Sequence, residues 1–80
     1  DYRVFFNKGN LLNAMAEYKK AIECFNKSLE LQKTPKATYN ISISLQKLNR
    51  YELALEFLEK NIQEYPNNIL SYFGKIVIYS

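Results

Sequence analysis

Histidine is absent from this chain of 80 residues, and cysteine occurs once, at Cys24. Without an imidazole, and with a single thiol, the residues for a zinc cluster or for histidine-dependent acid–base catalysis are missing. A lone cysteine also excludes a disulfide within the chain. Glycine and proline occur twice each, too few to punctuate a many-turned β sandwich. No unbroken apolar run approaches the ~20 residues that span a bilayer, so no membrane is expected as a partner. Eleven basic residues against eight acidic ones leave +3, too little without a clustered patch to point to nucleic acid. The first residues lack the charged, apolar and small-residue zones of a secretory signal, and the chain opens on Asp1. It is expected to be a piece of a longer chain, and the one free thiol fits a cytoplasmic setting.

What is present is a folded-chain composition, 48% hydrophobic and 24% charged, on a length that makes one folding unit. Apolar residues recur at three- and four-residue intervals: Ala21, Ile22, Phe25 and Leu29, then Ile41, Leu45 and Leu48, then Leu55, Leu58 and Ile62. That is the helical period. Breaks fall near 15–17, 33–35, 49–50 and 65–68. Thr34 before Pro35 offers a capping hydroxyl and a residue preset for a first helical turn. Pro66 closes one helix, and Asn67 or Asn68 can cap the next. Asn49 sits where a tight turn calls for a left-handed residue. The pattern predicts five helices over about 2–15, 17–32, 35–48, 50–64 and 68–80. On β propensity alone, 75–79 would read as a strand, but Pro66, the paired asparagines and Tyr72-Phe73 keep it in the helical register.

Shifted by 33 residues, the chain meets itself: Asn7 falls on Asn40, Leu12 on Leu45, Tyr18 on Tyr51, Ala21 on Ala54, Glu23 on Glu56 and Lys27 on Lys60. Phe6/Tyr39, Gly9/Ser42, Met15/Leu48, Ile22/Leu55, Phe25/Leu58 and Leu29/Ile62 are near-equivalents, and a further shift of 34 puts Tyr39 on Phe73. The chain is a tandem repeat of helical hairpins. Small Gly9 and Ser42 in each first helix, opposite small Ala21 and Ala54 in each second, let the two backbones approach. Phe25 and Leu58 are expected to reach toward the next hairpin, and Tyr18 and Tyr51 to cover the turns.

The strings Phe5-Phe6-Asn7-Lys8-Gly9-Asn10, Tyr18-Lys19-Lys20-Ala21-Ile22-Glu23-Cys24-Phe25 and Leu29-Glu30-Leu31 resemble a tetratricopeptide repeat. So do Tyr39-Asn40-Ile41-Ser42, Tyr51-Glu52-Leu53-Ala54-Leu55-Glu56 and Tyr65-Pro66-Asn67-Asn68. The resemblance covers essentially the whole chain: one repeat over about 2–34, a second over about 35–68, and the first helix of a third over about 69–80. It implies an all-α, right-handed superhelical solenoid of antiparallel hairpins. Departures are Lys8 for a usual leucine, Phe5 and Thr38 for a common tryptophan, and Ser28 and Asn61 for a usual alanine, with looser packing expected at the last pair. The first linker between repeats is one residue short.

No arrangement for chemistry is found. The glutamates recur at exposed helical spacing, as ion-pairing surface, and Cys24 beside Phe25 reads as a small core filler. No catalytic residue, metal site or cofactor is expected. The resemblance implies instead a non-enzymatic protein-interaction scaffold, with first helices lining a concave groove. Segments 1–16, 35–48 and 69–80 carry five basic residues against Asp1, for +4, whereas 17–34 and 49–68 carry six basic and seven acidic, for −1. Such a groove favours an acidic peptide or one with a free C-terminal carboxylate. Asn7, Asn10 and Asn40 are placed to hold a peptide backbone, since a side-chain amide both donates and accepts. Phe6, Tyr39 and Phe73 share the expected groove face, and Arg3, Lys36 and Lys47 form its basic rim. The carboxylate clamp of chaperone co-factors is only half matched: Asn10 and Asn40 fit, while Phe6, Leu70 and Gly74 stand where its bases belong. The competing readings are a structural unit that stacks on flanking repeats or on another copy through its apolar last helix, an RNA-reading helical repeat, which the 33–34 spacing disfavours, and an accessory arm of an enzyme.

Overall fold

In a computed structural model that describes residues 1–79, the carboxylate of Asp1 accepts from the backbone N–H of Arg3 at 3.0 Å and starts the first helix. The chain then folds as α1 (Tyr2–Ala14), α2 (Tyr18–Leu31), α3 (Pro35–Lys47), α4 (Tyr51–Glu64) and α5 (Ile69–Tyr79). Each boundary lies within one residue of its predicted place, and Ser80, assigned by sequence to the last helix, lies outside the described residues. Thr34 caps α3 by accepting from Ala37, with Pro35 as its first residue. Asn68 does the same for α5 through the N–H of Leu70. The segment 75–79 is helical, so register within the hairpin stack outweighs β propensity there.

The turns inside the two hairpins are copies of each other. Ala16 has φ 61° and Asn49 φ 62°. Each is followed by an N–H that reaches back five residues at 2.8 Å, from Glu17 to the carbonyl of Leu12 and from Arg50 to that of Leu45. Both are Schellman closures, and they satisfy carbonyls that a helix end otherwise leaves free. Asn49 is a residue that tolerates this backbone, as the sequence leads one to expect. Ala16 does not advertise it.

The hairpins close on small residues. Gly9, Ala21, Ser42 and Ala54 are all buried, and a Cβ added at Gly9 would stand 2.6 Å from the ring of Phe25. Phe25 thus seats in its own hairpin, and it also joins Ile41 and Leu45 of α3 in one buried cluster. Leu58 behaves as expected of it, meeting the next unit at Gly74. Along one side α3 lies between α1 and α5 and meets both, while α2 and α4 each pack between consecutive first helices. The result is an all-α solenoid of antiparallel hairpins.

The positions expected to pack loosely are instead hydrogen-bonded. Ser28 donates to the carbonyl of Tyr2 at 2.9 Å, and Asn61 donates to the carbonyl of Pro35 at 3.0 Å. These are the same bond in consecutive repeats, tying each second helix to the first residue of its partner. Asn61 also donates to the hydroxyl of Ser71 at 2.9 Å, inside a fully buried pair of polar groups. A buried polar side chain is tolerated when its partners are supplied, so polar residues replace an alanine here with their hydrogen bonds satisfied.

Candidate functional site

The side formed by α1, α3 and α5 is where the sequence places its candidate binding residues. Asn10 on α1 and Asn40 on α3 face each other there. The amide of Asn40 donates to Oδ1 of Asn10 at 2.9 Å across an exposed seam. One turn further along, Ser44 donates to Oδ1 of Asn13 at 2.7 Å, in a part-buried place. Two polar rungs therefore join the first helices of consecutive repeats. Neither bond is signalled by the sequence, because each joins residues thirty or thirty-one positions apart that no local motif links.

The remaining candidates divide by burial. Asn7, Lys36 and Lys47 are exposed, and Lys47 occupies the last turn of α3. Arg3 is turned to its own helix start, paired with Asp1 at 2.7 Å. Phe6 is half-buried: its ring sits 5.8 Å from that of Phe25 at 59°, with the ammonium of Lys36 5.8 Å above its face. Tyr39 is half-buried as well, with its ring beside Gly74. These two rings each pack toward the next first helix, so they brace the stack. Phe73, their counterpart on α5, is 56% exposed.

Among the described residues, no group of three histidine, cysteine, aspartate or glutamate side chains is close enough to hold a metal ion. No helix among them is long and apolar enough to cross a membrane. Cys24 is buried. What the first-helix side offers is hydrogen-bonding capacity and ammonium groups at its margins. Of the two amides in the outer rung, Asn10 keeps both of its N–H groups and Asn40 keeps its carbonyl oxygen for a further partner.

The family description "Tetratricopeptide repeat" matches residues 2–35 and, in a second copy, residues 35–68. A TPR repeat-containing protein of Methanocaldococcus jannaschii is 28% identical over 74 residues, which is 92% of this chain. The chain spans 22% of that relative's length. The boundary between the two family matches falls on Pro35, the first residue of α3.

Proposed function

We propose that this chain, which belongs to the tetratricopeptide repeat family, holds an extended segment of a protein partner along the side formed by α1, α3 and α5. Repeats of this family generally mediate protein–protein interaction or scaffolding and are generally not enzymatic. The observation that supports this placement is the Asn10–Asn40 rung. It fixes two amides on an exposed face with a donor and an acceptor still to offer, which is what the N–H and C=O of an extended backbone require. Holding the amides in place beforehand lowers the ordering cost of binding. Lys36 and Lys47 lie on the first-helix segments that carry +4 by sequence, so the segment bound is acidic or ends in a carboxylate.

Selection from a random peptide library tests this reading. Enriched peptides are expected to be acidic, and the double variant Asn7→Ala/Asn40→Ala is expected to lose them while keeping its helicity. Enrichment without acidic bias, or equal retention by the double variant, refutes it.

A second reading is favoured by one feature of α5, whose Ile69, Phe73, Ile76 and Tyr79 are each more than half exposed. In that reading the units stack on further helices or on another copy. Sedimentation over a wide concentration range separates the two: a monomer throughout removes self-association.

A further inference from the structure

The two hairpins align at an offset of 33 residues, and one side-chain contact of the first lacks its counterpart in the second. In the first repeat, the ammonium of Lys27 stands 5.7 Å above the ring of Phe5. Thirty-three residues on, Lys60 is in place, but Thr38 stands where Phe5 would be. A cleft of about 100 Å³ opens there between the hairpins, lined by Thr38, Leu29, Phe57, Tyr65, Lys33 and Lys60. Phe57 takes the position of Cys24 and returns one ring to the wall, yet the cleft persists beside it. None of the candidate residues of the first-helix side lines it, so it is a separate place on the molecule.

Two observations fix the chemistry that fits. The walls Leu29, Phe57 and Tyr65 are apolar, and a closed cavity of roughly 150 Å³ in another protein admits benzene. An open cleft two-thirds as large takes a ring that stays partly outside. Its lining carries two ammonium groups, Lys33 and Lys60, against one carboxylate, Glu64, and among the described residues neither lysine is ion-paired. Thr34 and Thr38 bring the N-terminal turn of α3 to the same place, adding its positive dipole end. We infer that this cleft takes the aromatic side chain of an acidic partner segment, the ring entering beside Thr38 under Lys60 and the neighbouring carboxylate meeting Lys33. The first repeat already contains the filled version of the same arrangement, in Phe5 and Lys27.

The test is a titration of the ¹⁵N-labelled whole chain with 3-phenylpropanoate, with propanoate and 2-phenylethylammonium as controls. Amide shifts are expected at Thr38, Lys60 and Asn61, with the two controls binding at least about fivefold more weakly. Thr38→Phe, which rebuilds the ring of the first repeat, is expected to weaken the probe about tenfold or more. Lys60→Gln leaves the fold intact and weakens it about threefold, the scale of a cation over an exposed ring. Asn7→Ala/Asn40→Ala leaves this binding unchanged, which separates the cleft from the first-helix side. Equal binding of the three probes, shifts confined to other residues, or full binding to both Thr38→Phe and Lys60→Gln would overturn the assignment.

Discussion

The ring of Phe25 occupies the space that any side chain at position 9 would need. A Cβ built on Gly9 comes within 2.6 to 2.9 Å of three ring carbons, closer than real contacts allow. Phe25 is fully buried and has nowhere to retreat. At the same place in the second repeat, Ser42 stands with Leu58 in place of the larger ring. The small residue and the large one therefore vary together between repeats.

Gly9→Ala follows directly. Overpacking a filled core costs about 1–3 kcal/mol, against a gain of about 1 kcal/mol in helix propensity. The expected outcome is a net loss of stability in urea unfolding, with no such loss for Ser42→Ala. Equal midpoints for Gly9→Ala and the parent chain would show that the ring can move.

Ala16 carries a left-handed backbone with φ 61°. For an L-residue with a Cβ that conformation costs about 1–2 kcal/mol. Ala16→Gly is therefore expected to stabilise the chain by about 0.5–1 kcal/mol, less than the full strain because glycine is freer when unfolded. Thermal melting checks it: about 1 kcal/mol moves the midpoint of a chain this size by about 4–8 °C. Asn49→Ala moves it the other way, having also lost the hydrogen bond that Tyr51 donates to Asn49 at 3.0 Å.

Asn61→Ala removes two hydrogen bonds at once and leaves the hydroxyl of Ser71 and the carbonyl of Pro35 without that donor. Stranding buried polar groups costs about 1–3 kcal/mol. Since Ser71 is on α5, faster amide exchange is expected in α5 than in α1, and a smaller loss from Ser28→Ala. Truncation before Ile69 is expected to lower the melting temperature too, because Leu58 and Tyr39 both lose Gly74 as a neighbour.

Much of this was legible in the sequence, for physical reasons that can be named. The hairpins, the small residues that close them and the caps at Thr34 and Asn68 are local or repeat at a fixed offset, so periodicity finds them. Ala16 escaped because alanine gives no sign of a left-handed turn; aligning it with Asn49 at the repeat offset was the available signal. The Ser44–Asn13 and Asn61–Ser71 bonds escaped because they join residues on different helices. Phe6 and Tyr39 are expected from the sequence on the groove face, but an aromatic at helical spacing reads alike whether it braces the next helix or lies open. Here Phe6 and Tyr39 brace the stack, whereas their counterpart Phe73 stands exposed.

Asn40→Ala separates packing from binding on the first-helix side. It removes the 2.9 Å bond to Asn10, which in this exposed seam costs about 0.5–1.5 kcal/mol of stability. A peptide selected on the parent chain is expected to bind the variant about tenfold more weakly at a temperature where both remain fully helical by circular dichroism. Unchanged affinity would leave the rung with a structural role alone.

The placement of the partner is tested most directly by site-specific photo-crosslinking to such a selected peptide. A benzoylphenylalanine is introduced at Asn7, exposed on α1, and in a second protein at Glu23, exposed on α2. Crosslinks to the peptide are expected from position 7 and not from position 23. Equal yields from the two positions, or crosslinks from position 23 alone, would contradict a partner held along the first helices.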